Sequence, residues 1–171
     1  MDGSLILAVF LGVGMISPPT SLFLVEPCRW FDTREFTCVP GSRPGGQPCP
    51  VGPFKDGEIR QYLVQAGAVC QNGSRPIPLG ARSVVLKFTT FGGKRGRLTA
   101  YDATALEVPL ITSVSLHPII ACGFGIVQLG QLQGQEPGIP ILPDLAIYVK
   151  SGGADVHVVV DVIGYFMPYE G

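Results

Sequence analysis

Apolar and polar residues alternate along most of this chain with the two-residue period of an extended strand. The clearest stretch is Ala154–Phe166, ADVHVVVDVIGYF. Val156, Val158, Val160 and Val162 fall on one face, and His157, Val159, Asp161, Ile163 and Tyr165 on the other. A strand with one wholly aliphatic face belongs inside a sheet with that face on the core. Ser151-Gly152-Gly153 just before it reads as a tight hairpin turn, with Asp144–Lys150 as the partner strand. Arg82–Phe91 alternates in the same way, with Val84, Leu86 and Phe88 facing one side and Val85, Lys87 and Thr89 the other. Gly96–Ala103 follows it after a glycine-rich hairpin. Phe23–Val25, Gly57–Gln65, Ile111–His117 and Gly123–Gln131 complete a set of eight predicted strands. Pro27 sits where a ladder hydrogen bond is missing, which marks an edge strand or a strand start. Nothing longer than a turn has helical apolar spacing. The expected fold is all-β. Strands this short, with turn signals roughly every ten residues, suit a sandwich or a closed barrel. We take an antiparallel β-sandwich, jelly-roll-like or Greek key.

The pattern changes at both ends of the first fifty residues. Ser4–Ser17, SLILAVFLGVGMIS, is apolar and is followed by Pro18-Pro19. About twelve apolar residues are too few to cross a bilayer comfortably and suit the apolar region of a secretory leader. Asp2 precedes the segment where a Lys or Arg is usual, so two other readings stay open. One is a membrane anchor. The other is a retained strand, with Leu5, Leu7, Val9, Leu11, Val13 and Met15 on one aliphatic face. The expected division is an apolar leader over residues 1–20 and a single β-sandwich domain over residues 21–171. Glu35–Lys55 holds two cysteines, five prolines and four glycines. It reads as a long irregular loop that is either stapled or functional. A Cys38–Cys49 bridge would close about eleven residues of it and add roughly 3 kcal/mol.

Composition narrows the picture. A chain of 171 residues with 46% hydrophobic and 15% charged residues can bury a normal core and is not disordered by composition. A net charge of −1 makes no electrostatic case for nucleic acid. Lys94, Arg95 and Arg97 lie among Gly92, Gly93 and Gly96 and read as a solvated hairpin tip. Of the five cysteines, none forms a CxxC pair, and His117 and His157 lie far from them, so no zinc and no other cofactor is expected. Cys28, Cys38, Cys49 and Cys70 fall among prolines and glycines in the first half, which suggests disulfides and an oxidising compartment. Cys122, in IIACGFGIV, reads as a buried thiol.

Candidate chemistry is sparse. Asp32-Thr33-Arg34 could pair a catalytic acid with a cation, but such a trio is more often a turn in which Asp caps the backbone and Arg meets a carboxylate. Asp161 could act as a general base, but a lone strand carboxylate more often pairs with an arginine, here Arg29 or Arg34. His157 lies four residues from Asp161 on the same face, about 13–14 Å along a strand, too far for both to hold one metal ion. Asn72-Gly73-Ser74 matches a glycosylation sequon and reads as a turn. No nucleophile–base order or phosphate-binding loop accompanies these residues.

Three stretches together resemble a family of secreted bacterial β-domains: Glu26–Arg34 (EPCRWFDTR), Val84–Thr90 followed by Gly96–Tyr101, and Asp155–Phe166. That family shows a PCR-x-x-DTR opening, a cysteine just before its first long strand, a G-x-LT-x-Y hairpin and a closing VVDV-x-GYF. The resemblance covers about Val25 to Phe166. It implies an exported, all-β, non-enzymatic chain, and a disulfide between Cys28 and Cys70. The chain departs from the family in carrying Cys38 and Cys49 and in the insert Gln131–Pro143, both in loops, where binding functions are usually placed. The expected function is therefore a non-catalytic β-sandwich module, extracellular or at the cell surface, acting by contact as an adhesive or structural unit. The alternative is a self-assembling subunit of an extracellular filament or virion surface that donates Ser4–Ser17 as a strand. A hydrolase is a remote third reading. The expected partner is a protein or a second copy of the chain, with a glycan as the other ligand class. No nucleic acid is expected, and no stable membrane insertion after processing.

Overall fold

β-Branched and aromatic runs bounded by Gly, Pro and Asp become strands throughout. The computed structural model describes residues 20–35, 52–65, 68–110, 112–130 and 144–168. Among them are eight strands: β1 (Thr20–Asp32), β2 (Ile59–Tyr62), β3 (Ser83–Gly92), β4 (Gly96–Asp102), β5 (Val114–Leu116), β6 (Ile120–Gln128), β7 (Leu145–Lys150) and β8 (Val156–Pro168). The apolar leader with Leu5, Leu7, Val9, Leu11, Val13 and Met15, the Cys38 and Cys49 loop, and the insert Gln131–Pro143 lie outside the described residues.

Two four-stranded sheets form, in the orders β1-β8-β3-β6 and β2-β7-β4-β5. All the pairs are antiparallel. First pairs with last and so on inwards: β1 with β8, β2 with β7, β3 with β6, β4 with β5. The β3–β8 and β4–β7 ladders complete the sheets. A long hairpin wrapped over on itself produces this order, which is that of a jelly-roll sandwich.

This topology corrects the two expected hairpins. β7 and β8 flank the Ser151–Gly153 turn but lie in different sheets, as do β3 and β4 on either side of Gly92-Gly93. These turns carry the chain across the sandwich rather than back alongside itself. Gly152 and Gly153 take φ of 65° and 87°, which a side chain would strain. A Cβ at Gly96 would collide with the Lys150 carbonyl, so β4 reaches β7 only with glycine there.

The predicted core faces are the observed ones. Val156, Val158, Val160, Val162, Val84, Leu86 and Phe88 are all fully buried. They meet Leu98, Leu145, Ile147 and Val149 from the opposite sheet in one cluster. Trp30, Phe31 and Tyr62 fill the β1–β2 side, with the Phe31 and Tyr62 rings stacked 4.9 Å apart. β1 runs far beyond the expected Phe23–Val25. It passes Pro27 through a register shift between Leu24 and Cys28, which an edge strand tolerates because its missing N–H had no partner strand to meet.

One side assignment on β8 is overturned. A shift in the β3–β8 register between Val85 and Leu86 inserts Ile163 as a bulge. Every residue after the bulge changes face. Tyr165 therefore stands opposite Val84 on the core side and stacks on Phe23 at 5.3 Å, while Phe166 turns outward beside Leu22.

Cys122 is likewise exposed rather than buried, because β6 is amphipathic in the reverse sense. Its inward positions between Ile120 and Ile126 are Ala121, Gly123 and Gly125. A Cβ at Gly123 would lie 2.7 Å from the Ser113 carbonyl oxygen and 2.8 Å from the Val114 side chain. β5 comes so close that only small residues fit inside, and Ile120, Cys122, Phe124 and Ile126 face out.

Candidate functional site

The outer face of the β1-β8-β3-β6 sheet gathers several of the residues singled out by the sequence, Arg29, Asp32, His157 and Asp161 among them. Its strands lie in register, so the face can be read in rows. Arg29, Asp161, Lys87 and Phe124 form one row, and Leu24, Gly164, Val85 and Ile126 another. The first row is charged on β1, β8 and β3; its β6 member, Phe124, and the second row are apolar.

In the charged part of the face, Arg29 Nε donates to Asp161 Oδ1 at 2.5 Å. Of the two partners expected for Asp161, Arg29 is the one it meets. Arg34 turns to Asp32: its Nη2 lies 2.6 Å from Oδ2, and its Nε and backbone N–H both donate to Oδ1 at 2.9 Å. Arg29 Nη1 adds a contact of 3.5 Å to Asp32. The Arg34 guanidinium also stacks over the Phe91 ring at 4.1 Å. Thr33 continues the ladder past the end of β1. Its N–H donates to the Val158 carbonyl, its Oγ1 accepts from Val158 N–H at 2.8 Å, and His157 Nδ1 lies 3.2 Å from the same oxygen. Asp32, Thr33, Arg34 and Asp161 thus lock the end of β1 onto the start of β8.

Burial alone would push the Asp32 carboxyl up. Hydrogen bonds from the Arg34 side chain and backbone, with the charges of Arg34 and Arg29, more than offset it and hold the pKa below the ordinary value. A carboxylate 2% exposed and saturated with cationic donors is a poor proton acceptor, so its chemistry here is structural. The Cys28–Cys70 disulfide, with Cα atoms 5.7 Å apart, anchors the same region. Next to it Gln71 N–H donates to the Arg29 carbonyl at 2.9 Å. Asn72-Gly73-Ser74 is a turn, as expected, with Ser74 N–H and Oγ both donating to Asn72 Oδ1.

The apolar part is exposed. Leu22 is 49% accessible, Leu24 73%, Phe124 66% and Ile126 67%. Half-buried Val85 and Phe166 lie between them. Sequence reading missed this surface, although β6 carries a signal for it. Alternation of Ile, Cys, Phe, Ile with Ala and Gly leaves only one face large enough to be sticky, and that face need not be the inner one.

A second buried carboxylate was also missed. Asp144, 1% exposed, stands at the entry to β7. Its two oxygens accept the backbone N–H groups of Val64 at 2.7 Å and Gln65 at 2.8 Å. Its own N–H donates to Tyr62 O, and its carbonyl accepts from Gly130 N–H at 2.9 Å. Burial raises its pKa to about 6 against the lowering effect of these N–H donors, with Asp102 adding to the rise. It ties the exits of β2 and β6 to the start of β7.

Among the described residues no three His, Cys, Asp or Glu side chains cluster as metal ligands. No helix among them is long and apolar enough to cross a membrane, which says nothing of a β-barrel. Compared with known proteins, the chain matches no family model, no curated protein and no solved structure.

Proposed function

We propose that this chain is an exported, non-catalytic β-sandwich module that acts by contact at a cell surface or in the extracellular space. The observation that carries the reading is the exposed apolar part of the outer sheet face, built from Leu22, Leu24, Phe124 and Ile126 on an otherwise well-packed jelly roll. Patches of this kind on a soluble domain mark interaction surfaces. The Cys28–Cys70 disulfide is compatible with an oxidising, extracellular location. The resemblance to secreted β-domains supports the same reading.

Two measurements test it. Fractionation of cells making the tagged full-length chain should place it outside the cytosol with Cys28 and Cys70 oxidised. Binding of the purified protein to isolated cell envelopes should fall about tenfold on Leu24→Lys, without a change in melting temperature. A cytosolic protein with both thiols free, or unaltered envelope binding, rejects the reading.

A second reading, a subunit that polymerises by donating its leader strand, is favoured by the position of β1. It is an edge strand that starts at Thr20, directly after the leader, and Leu22, Phe23 and Leu24 are all exposed on it. A strand donated from a neighbour could add to such an edge. Deleting residues 2–17 should then convert polymers into monomers of the same fold. Polymers that persist in the deleted form exclude strand donation.

A further inference from the structure

We infer that the end of the sandwich where the turns 92–95, 117–119 and 151–155 meet is a docking tip for an anionic lipid bilayer, bound reversibly through unpaired cations and two exposed isoleucines. The inference goes beyond the contact reading, because this tip is a different surface from the one formed by Leu22, Leu24, Phe124 and Ile126. Gly92 N–H donates to the Ile119 carbonyl at 3.4 Å, and Lys94 N–H to the Ser151 carbonyl at 3.1 Å. These bonds hold the three turns side by side at the end where β3, β5 and β7 finish and β4, β6 and β8 begin.

Pairing sets the cations of this tip apart. The carboxylates around it, Asp56, Glu58 and Asp155, are each taken up, by Lys150 at 2.9 Å, Arg60 at 2.6 Å and Lys55 at 2.5 Å. The side chains of Lys94, Arg95 and Arg97 have no ion-pair or hydrogen-bond partner among the described residues, and Lys94 and Arg95 are exposed. Arg97 stands directly opposite Lys150 on β7, where like charges repel, and its Nε is buried without a partner. An anionic group arriving from outside supplies what this pair lacks. The segment 36–51 adds no carboxylate, its one charged side chain being Arg43. Its described flanks, Glu35 and Gly52, are held by Gln71 and Arg60 on the β1–β2 side. With the whole chain at −1, the three unmatched cations turn this end, and not the molecule at large, towards an anionic surface.

Beside the cations lie Ile119, 75% exposed, and Ile120, 47% exposed, with Pro118 also in solvent. The turn bonded to the basic one therefore presents aliphatic side chains to water. That combination selects the partner. An acidic polysaccharide would meet the cations and leave both isoleucines in water. A bilayer takes the cations at its phosphates and the isoleucines at the headgroup boundary. A few cations and two aliphatic side chains give reversible attachment rather than stable insertion.

The test is co-sedimentation of the full-length protein with vesicles of phosphatidylcholine alone, and of phosphatidylcholine with about one-third phosphatidylglycerol. Anionic vesicles should bind it about tenfold or more tightly than neutral ones. Raising salt from about 0.1 M to about 1 M should remove most of that difference, because the Debye length falls from about 10 Å to about 3 Å. Lys94→Ala together with Arg95→Ala should weaken binding to anionic vesicles by about twentyfold, and Ile119→Ser by about tenfold. All three positions are exposed, so melting temperatures should hold. Arg82→Ala, beyond the opposite end of β3, should leave binding unchanged. No binding, equal binding to both vesicles, or anionic-vesicle binding that survives the double variant overturns the inference. Binding that the double variant weakens and Ile119→Ser does not is purely electrostatic, which assigns the tip to an acidic polysaccharide and overturns the lipid surface too. If the vesicles fail while Leu24→Lys still lowers envelope binding, the contact reading stands alone. If Leu24→Lys has no effect and the tip variants behave as expected, the lipid tip stands and the apolar-face reading fails.

Discussion

Asp32 and Asp144 are buried alike, 2% and 1% exposed, one at the end of β1 and the other at the entry to β7 in the opposite sheet, yet the protein holds them by different means. Asp32 lies beside the start of β8, and two arginines that remain partly exposed bring their charge to it. Asp144 lies at the far end of β7 and receives only backbone N–H dipoles, with Asp102 as a like-charged neighbour. The outcome differs in sign: one carboxyl is held below its ordinary pKa and the other is raised to about 6. Burial penalises the charged form in both places; at Asp32 the donors and charges of two arginines outweigh it, and at Asp144 backbone N–H groups alone do not. One end is therefore stabilised by ionisation, and the other tolerates it.

The largest way to disturb this contrast is to release the Asp32 end from its anchor. Replacing Cys28 and Cys70 together by Ser opens a bridge with a sequence separation of 42. It should cost about 4 kcal/mol in urea unfolding. A loss under about 1 kcal/mol would mean that the arginine network holds this end unaided.

Next in size is Asp32→Asn. It leaves Arg34 and Arg29 without their carboxylate and should cost roughly 2–3 kcal/mol, below the range for fully buried pairs because both arginines are a third or more exposed. The wild-type contribution is present above the unfolded pKa near 3.8 and is lost as pH falls through the lower folded value. The variant should consequently lose less stability than wild type on acidification below about pH 4. Identical acid profiles would count against the arginine account.

The Asp144 end should respond in the opposite direction. Its folded pKa of about 6 exceeds the unfolded value of 3.8, so between them the folded state binds the proton and the unfolded state does not. Its contribution is fully present below the unfolded value and is lost as pH rises through about 6. The loss between about pH 4.5 and about pH 7 is on the order of 2 kcal/mol. Asp144→Asn keeps one acceptor and cannot ionise, so the slope of stability against pH in this window should flatten. A slope unchanged in the variant would assign it to another group.

The smallest effect is expected from Thr33→Val, which removes the oxygen that accepts Val158 N–H while preserving shape. It should cost about 1 kcal/mol and leave the pH 4.5–7 slope, which belongs to the other end, as it was. Guanidinium melts at two pH values separate these outcomes.

Much of this was legible in the chain itself. Val156, Val158, Val160 and Val162 announce a buried face because the two-residue period of a strand is written directly into the order of its side chains. The Asp32–Arg34 contact was readable because its partners are two residues apart, whereas Asp161 could be given only two candidate arginines and Thr33 no partner. The Cys28–Cys70 pairing came from the family resemblance rather than from spacing. Asp144 gave no signal, because its partners are the backbone N–H groups of Val64 and Gln65, which carry no sequence identity.

By itself, the amino-acid order determined strand content and some inner faces: which residues of β3 and of β8 up to Val162 would leave water. It could not determine which strand lies beside which. Alternation encodes the side on which a residue stands and is silent about its neighbour, so turns at Gly92-Gly93 and Ser151–Gly153 looked like hairpins although both cross between sheets. The tertiary structure alone decided three further points. The bulge at Ile163 turned Tyr165 inward, the close approach of β5 to Gly123 turned Cys122 and Phe124 outward, and the first-to-last pairing brought Arg29 to Asp161. Each depends on the distance between segments far apart in the chain, and a local pattern contains no information about that distance.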